Sequence, residues 1–224
     1  ALLGADGDYY RKYYLDSSNY KGNNLANIAG YTWNYKNNTS INNGYGSNTW
    51  STSLLNKTNL NTNFIKNIGA EWANKIDMTT WKVGGNTWSN IAKQPAKTAY
   101  QNEIVSPVTT NTTDNATTYS AKIGLMYASD YGFAAAPSAW TANLNTYNGE
   151  AIKNVNWMYM GLQEWTITRW ADSSIAPFIV NSTGYVESYD LGHPANGVRP
   201  VFYLTSSVTY AEGDGTQSSP IRIN

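Results

Sequence analysis

Short strand-like segments alternate with polar connections over residues 156–199 and just beyond them. The strand-like segments are aromatic and β-branched, and they cover residues 164–168, 177–180, 185–187 and 198–204. The connections are rich in Asn, Ser, Asp, Tyr and Gly. Rigid strands that carry adaptable, aromatic-bearing loops are typical of recognition surfaces. Because no residue here belongs to a catalytic pattern, the segment predicts binding rather than chemistry.

A helix is predicted over residues 58–77, where apolar residues recur at helical spacing on one face. These core-facing residues are Leu60, Phe64, Ile65, Ile68, Trp72 and Ile76. Asn59 or Asn61 could cap its start, because an Asn side chain accepts hydrogen bonds from the free N–H groups of a first turn. A weaker helical pattern covers residues 50–55.

The other patterns are short. Residues 81–85 predict a strand followed by a turn, and residues 121–127 alternate as a strand should. Small residues over 130–136 predict a turn, and the Thr/Asn run at 109–118 predicts an exposed loop. Together these patterns predict an α+β fold of mixed short antiparallel strands, one or two helices and long loops. We expect one domain over residues 1–224, of which residues 1–54 fit the pattern least clearly.

Charge and cysteine content exclude several functional classes. Charged residues make up 13% of the chain, and Lys plus Arg balance Asp plus Glu. Nucleic-acid binding needs clustered basic charge, and attachment to an anionic membrane surface draws on the same charge. We therefore expect no nucleic-acid partner and no direct membrane contact. The absence of cysteine excludes disulfides, thiolate metal sites and a cysteine nucleophile.

The uncharged polar composition favours an extracellular location, because Asn, Thr, Ser and Tyr must supply most of the solvated surface. No apolar run approaches the ~20 residues of a membrane span. Since the chain opens with Ala1 and not Met, we expect any anchor to lie upstream.

Candidate catalytic and metal-binding residues are few. His193 is the only histidine, so a Ser-His-Asp triad or a multi-histidine zinc site would depend on it alone. We interpret it as a loop histidine that can touch a ligand. The segment Asp6-Gly7-Asp8 lacks the further oxygen ligands of a calcium loop, so it predicts a turn.

Five carboxylates in the second half of the chain could in principle supply the acid pair of a glycosidase. They are Glu150, Glu164, Asp172, Glu187 and Asp190. Their spacing along the chain does not establish a separation across a sugar ring, and we expect them to be solvated or to cap loops. We therefore expect no catalytic residue, no cofactor and no metal.

Arg199 lies between strand-like residues, and its planar guanidinium could tie adjacent loops to backbone carbonyls as a structural clamp. Trp165 lies inside the 164–168 strand and is predicted to be core. Trp170 begins the next loop. Two interpretations of it are equally open: an exposed ring on which a ligand stacks, and a core position.

Six segments in combination resemble a family of bacterial surface domains that is frequent in gut Firmicutes. They are WANKIDMTTWKVGG (72–85), YSAKIGLMYASDYGFA (119–134), NWMYMGLQEWTITR (156–169), STGYV (182–186), GVRPVFYLTSSV (197–208) and GDGTQSSP (213–220). The family has a C-type-lectin-like fold of the formylglycine-generating-enzyme type, often behind a type IV pilin-like helix. The same fold displays hypervariable loops in the variable proteins of diversity-generating retroelements. The resemblance covers about residues 55–224.

What the resemblance implies is a scaffold with display loops. The ligand-facing residues by that analogy are Tyr147, Asn148, Trp170, Asp172, Ser174, Tyr189, Asp190 and His193. Formylglycine-generating activity does not carry over, because its catalytic cysteines are absent. The Glu-Pro-Asn and Gln-Pro-Asp triplets of calcium-dependent sugar-binding lectins are absent as well.

These observations predict a non-enzymatic adhesion domain of a bacterial surface or pilus protein, which binds a protein or glycan through its C-terminal loops. A structural alternative is the globular head of a filament subunit, whose aromatic N-terminal half packs against other copies of itself. A glycan-active enzyme is a third alternative, and it would require two facing carboxylates in a cleft.

Overall fold

Short antiparallel sheets and short helices make up the computed structural model, which describes residues 3, 10–13, 28–36, 42–84, 91–107, 116–192 and 196–224. Two-stranded sheets form from β1 (Tyr10–Tyr13) with β2 (Ile28–Tyr31), β3 (Thr79–Lys82) with β4 (Thr118–Ala121), and β8 (Tyr210–Glu212) with β9 (Arg222–Ile223). A three-stranded sheet has the order β5 (Glu164–Arg169), β6 (Pro177–Val180) and β7 (Val186–Ser188). The predicted α+β class with short antiparallel strands is confirmed.

The helices are short and two of them contain π-helical turns. A π-helix, Leu55–Phe64, continues as α1 (Ile65–Ile68) and is followed by α2 (Ala70–Lys75). Helix α3 (Ala96–Tyr100) continues as the π-helix Gln101–Val105, and α4 (Ala128–Phe133) and α5 (Glu150–Lys153) follow. Short 3-10 helices lie at Asn42–Gly44, Trp50–Thr52, Pro137–Ala139 and Leu144–Thr146. Within those ranges, no helix combines the length and the apolar character needed to cross a membrane.

The predicted helix over residues 58–77 is present but broken. Gly69 has φ 87° and ψ 158°, a conformation open to glycine, and it separates α1 from α2. Leu60, Phe64 and Ile76 are buried as predicted, but Trp72 is 48% exposed. The prediction of a core position for Trp72 was wrong. The break at Gly69 changes the direction of α2, so Trp72 no longer lies on the same face as Leu60 and Phe64.

The capping prediction was also wrong. The helix begins at Leu55, so Asn59 and Asn61 lie inside it and bond to distant backbone instead. Asn59 Nδ2 donates to Leu3 O at 3.0 Å. The Asn61 amide donates to Ile123 O at 3.0 Å and accepts from Ile123 N–H at 3.0 Å. These amides tie the helix to other segments of the fold.

The strand predictions were right for the three-stranded sheet and wrong nearby. The 177–180 prediction is confirmed, the strand predicted at 164–168 is one residue longer at its end, and the strand predicted at 185–187 is shifted by one residue. The 198–204 segment pairs only through isolated bridges, Val201 with Gly124 and Leu204 with Ile76, because Pro200 lacks the N–H that a ladder needs.

Residues 121–136 also differ from expectation. The 121–127 segment is buried on both sides, so Gly124 and Met126 are as enclosed as the residues between them. The predicted turn at 130–136 is largely helix α4. The Asp130 carboxylate accepts from Tyr127 N–H at 2.9 Å, which caps the first turn of that helix.

Two hydrophobic clusters lie on opposite faces of the three-stranded sheet. Trp165 and Ile179 belong to the first cluster, whereas Phe178 and Val180 belong to the second. Consecutive strand residues point to opposite faces, so β5 and β6 are covered on both sides.

The first cluster is built on three tryptophans. The ring centroid of Trp33 is 5.2 Å from that of Trp50 and 5.8 Å from that of Trp165. Trp165 is fully buried and its indole N–H donates to Tyr31 O at 2.7 Å, which confirms its predicted core role. Tilted and edge-on contacts of this kind add to the free energy of burial.

Gly124 packs against the flat face of an indole ring. A Cβ added there would lie 2.6 Å from Trp81, whose own position is set by its indole N–H bond to Ala121 O. We expect Gly124→Ala to lower the free energy of unfolding by roughly 1–3 kcal/mol through overpacking. Urea unfolding measures this, and Gly149→Ala is the control because its nearest neighbour would lie at 3.6 Å. Equal stability of the two variants would contradict the tight contact.

Candidate functional site

Two of the predicted loop regions meet at one end of the three-stranded sheet. Arg169 at the end of β5 pairs with Pro177 at the start of β6, and Tyr189 N–H after β7 donates to Pro177 O at 2.9 Å. The loop 170–176 and the segment 189–192 therefore leave the sheet side by side. This is the convergence that the display-loop hypothesis requires.

The side chains predicted to face a ligand differ in exposure there. Asp172 and Asp190 are exposed. Trp170 is half-buried against the second hydrophobic cluster, and Tyr189 is half-buried against the first. Trp170 is thus neither a free stacking platform nor a fully enclosed core residue. The half-buried Ser174 presents its carbonyl oxygen to other backbone and side-chain donors.

Tyr147 and Asn148 do not belong to this end of the sheet. Tyr147 is fully buried, and its hydroxyl donates to Gly132 O at 3.1 Å and to Ala139 O at 3.2 Å. Its carbonyl oxygen lies 3.4 Å from the Cβ position of Gly184, in the turn between β6 and β7 at the opposite end. The prediction that Tyr147 faces a ligand was therefore wrong, and the exposed Asn148 lies away from the other candidates.

Some predicted features lie outside the described residues. These are His193, the Asp6-Gly7-Asp8 turn and residues 109–115 of the Thr/Asn run. The interpretation of His193 as a loop residue that touches a ligand stays a prediction.

A segment that the sequence did not indicate, residues 42–48, covers the loop 170–176. The buried side-chain amide of Asn48 donates to the carbonyl oxygens of Trp170, Ser173 and Ala176 at 2.8–2.9 Å. Asn48 N–H also donates to Ser174 O at 2.8 Å. One side chain thus holds the backbone of a loop more than 120 residues away.

The same segment contacts residues 189–192. A Cβ at Gly192 would lie 2.5 Å from the Tyr45 ring, so the phenol packs directly on the glycine backbone. Asn42 Nδ2 donates to Gly46 O and to Ser174 O. We call the combined surface of residues 42–47, 170–175 and 189–192 the loop face. The sequence feature that could have indicated residues 42–48 is the Asn42-Asn43-Gly44 turn, in which Asn42 and Asn43 have positive φ.

Two arginines act as clamps. Arg199 Nε donates to Glu164 Oε1 at 3.1 Å, one of its amino groups reaches Glu164 Oε2, and that group also donates to Met158 O at 2.9 Å. The predicted clamp role of Arg199 is confirmed, and Glu164 is its partner. Arg169, which the sequence did not single out, is buried, and its Nε donates to Val83 O at 2.8 Å.

A surface cavity of about 440 Å³ lies beside Arg199, away from the residues of the loop face. Its lining consists of Met126, Asp130, Phe133, Ala134, Trp157, Met158, Arg199 and Val201. We call it the aromatic cavity. The ring of Trp157 borders it and is 76% exposed, an unusual position for so large an apolar side chain. Burial raises the pKa of the Asp130 carboxyl, and the bond from Tyr127 N–H opposes that shift.

Glu103 lies in the π-helix Gln101–Val105, and its carboxyl group is buried. It accepts hydrogen bonds from Ser129 N–H at 3.1 Å and from the Thr168 hydroxyl. Burial raises its pKa from 4.5 to about 7, the hydrogen bonds oppose the shift, and the charge of Asp130 adds to it. Glu103 does not line the aromatic cavity, so Asp130 is the one carboxylate in that lining. The facing pair that a glycosidase needs is not found there.

Metal ligands do not cluster in the described ranges: no group of three or more His, Cys, Asp or Glu side chains could hold an ion. Comparison with protein-family models, with curated proteins and with solved structures finds no match to this chain. The C-type-lectin-like identity of the fold stays a prediction.

Asn48 is the residue on which the loop face depends most directly. We expect Asn48→Ala to remove this donor from the carbonyl groups of Trp170 and Ser173, while Ala176 O keeps its bond from Trp170 N–H, and to lower the free energy of unfolding by roughly 1–3 kcal/mol. Amide hydrogen exchange of residues 170–176 should increase selectively. Asn148→Ala, at an exposed position, is the matched control and should change neither quantity. Unchanged amide exchange of residues 170–176 in the Asn48 variant would show that Asn48 does not hold this loop.

Glu103 should make the stability depend on pH. Because its folded pKa is raised, the unfolded chain loses this proton near pH 4.5 while the folded protein keeps it to about pH 7. Stability should therefore fall as pH rises between these values, by roughly 3 kcal/mol at most from this group. Urea unfolding at several pH values should show a flatter profile for Glu103→Gln. Parallel profiles for the two proteins would rule out this contribution.

Proposed function

We propose that this chain is an extracellular ligand-binding domain with a C-type-lectin-like fold, carried on a bacterial surface or pilus protein. The observation that supports it is the convergence of three separate segments on the loop face. Binding sites on rigid frameworks commonly collect loops in this way.

The construction of the loop face suits recognition. The Asn48 amide and the Tyr45–Gly192 contact order the loop backbones before any ligand arrives. A preordered surface loses less conformational entropy on binding, so more of the contact energy contributes to affinity. Asp172 and Asp190 then present carboxylates to solvent, which suits a ligand with hydroxyl or amide donors, as in a glycan or a protein.

A binding screen on the purified chain tests this function, with arrays of glycans and of host surface proteins as probes. For a ligand found in the screen, we expect Asp172→Ala to weaken binding about tenfold, which corresponds to loss of one charge-assisted hydrogen bond. Glu71→Ala is the control, since Glu71 is another exposed carboxylate, on α2. A ligand whose binding is unaffected by Asp172→Ala, or is weakened equally by both changes, would place recognition elsewhere.

Trp170 and Tyr189 are less suitable probes of binding. Both side chains pack on hydrophobic clusters, so their replacement by Ala should lower the melting temperature as well as any affinity.

A filament-head function is the second candidate, and an exposed apolar patch favours it. Met78, Phe202, Tyr203 and Leu204 are all exposed. They are neighbours, because Asp77 N–H donates to Tyr203 O at 2.8 Å. Apolar clusters of this kind often mark contacts with another protein. Of the aromatic N-terminal half, which we expect to pack against other copies, the side chains of residues 9–14 lie outside the described part.

Self-association through this patch can be measured by light scattering over a range of protein concentrations. We expect the chain to form larger species at high concentration and Met78→Lys to suppress them, because a buried unpaired charge disfavours the contact. Trp72→Lys supplies the comparison, with the same charge at another exposed apolar position. A chain that stays monomeric throughout would remove the support for a filament head.

A further inference from the structure

We propose that the aromatic cavity binds a quaternary ammonium group, such as the trimethylammonium group of choline. This site is separate from the loop face, and it does not depend on the function proposed for that surface. Three features of the lining carry the inference: a carboxylate that belongs to neither ion pair of the described residues, one exposed and one half-buried aromatic ring, and an apolar floor.

The carboxylate is that of Asp130. It caps α4 through one hydrogen bond from Tyr127 N–H. The ion pairs among the described residues are Arg199 with Glu164 and Arg222 with Glu212, so neither brings a cation to Asp130. The guanidinium of Arg199 also lines the cavity, but Glu164 neutralises it through contacts to both carboxylate oxygens. Glu164 lies outside the lining, and when it is counted with Arg199 and Asp130 the three groups carry one net negative charge, which attracts a cation.

The aromatic rings are Phe133 and Trp157. Phe133 is held edge-on by Trp140 at a centroid distance of 5.3 Å and by Tyr100 at 6.2 Å. Trp157 is anchored by its backbone N–H, which donates to Ala134 O at 3.2 Å, while its ring stays in solvent. The face of an indole attracts cations through its quadrupole, and it does so most strongly when water is excluded.

The apolar floor distinguishes between kinds of cation. Met126 and Met158 are almost fully buried beneath the cavity and offer weakly polar sulfur and methylene groups. A primary ammonium brings three donors and a sugar brings many hydroxyls, and each donor left unpaired against such a floor costs free energy. A quaternary ammonium donates no hydrogen bond. Its methyl groups contact the floor while its charge faces Asp130, so it fits this lining best.

The cavity is also large enough. Its volume of about 440 Å³ lies within the range usual for small-molecule sites, roughly 300–1,000 Å³. Partial burial raises the pKa of the Asp130 carboxyl, and neither ion pair of the described residues offsets that shift.

Calorimetric titration of the whole chain with choline chloride tests the site, and the part of the intrinsic tryptophan fluorescence change that is lost in Trp157→Phe is a second readout. We expect saturable binding in the millimolar range, as for one small cation held by a few contacts. The neutral carbon analogue of choline, in which a tert-butyl group replaces trimethylammonium, should bind at least tenfold more weakly. Equal binding of the two compounds would show an apolar cavity without cation recognition and would overturn the proposal, as would no saturable choline binding.

Two variants test whether choline binds at this cavity. Asp130→Asn removes the charge but keeps an oxygen that can accept from Tyr127 N–H, and Trp157→Ala removes an exposed ring. Each should weaken choline binding at least tenfold. Trp72→Ala, which removes another exposed indole, should leave it unchanged. Choline binding that is unchanged in both cavity variants would overturn the assignment. The comparison of choline with its neutral analogue uses the wild-type chain, so it remains valid even if a variant misfolds.

Two further controls separate this site from its alternatives. Asp172→Ala on the loop face should bind choline as the wild type does, so failure of one site is distinguishable from failure of the other. Titration with N-acetylglucosamine tests the alternative occupant, a sugar stacked on Trp157. Tighter binding of the sugar than of choline, lost in Trp157→Ala, would contradict the proposal.

Discussion

Strand β5 is buried along its whole length although four of its six residues are polar. The two apolar residues, Trp165 and Ile167, pack in the first hydrophobic cluster. Every polar side chain between and beside them must find a partner, because an unpaired polar group in the interior costs more than its hydrogen bond returns. This requirement organises much of the fold around one strand.

The partners of these polar side chains come from distant parts of the chain. Glu164 pairs with Arg199, Thr166 donates to Phe178 O, and Thr168 bonds to the buried Glu103. Arg169, at the end of the strand, donates to Val83 O. Each bond joins β5 to a different segment, so the strand becomes the point at which those segments are aligned. Buried polar groups of this kind restrict the number of arrangements that satisfy all of them.

This arrangement also determines where the two candidate sites lie. The end of β5 at Arg169 sets the start of the loop 170–176, which Asn48 then holds from the other side. The beginning of β5 positions Arg199 through Glu164, and Arg199 forms one wall of the aromatic cavity. The loop face and the aromatic cavity thus arise at opposite ends of the same buried strand.

Strand positions could be predicted from residue type because β-branched and aromatic residues favour extended backbone. Trp165 was interpreted correctly on that basis, and Arg199 was interpreted correctly from the planar geometry of its guanidinium. Tyr147 and Trp72 were not, because burial depends on what packs against a side chain, which neither local periodicity nor analogy with a family supplies. Asn48 and Asp130 carried no recognisable motif. Their roles depend on carbonyl groups and cavity walls that come from other segments.

The sequence by itself determined the α+β class, the order of the short strands in the second half, and the absence of cysteine and basic-cluster chemistry. These properties follow from local backbone preference and from composition, which act over a few residues or over the whole chain. Only the tertiary structure decided which exposed residues share a surface, which carboxylates are enclosed and where the aromatic cavity forms. Those outcomes depend on contacts between residues more than 50 positions apart, such as Asn48 with Ala176 and Arg169 with Val83, and no local pattern encodes them.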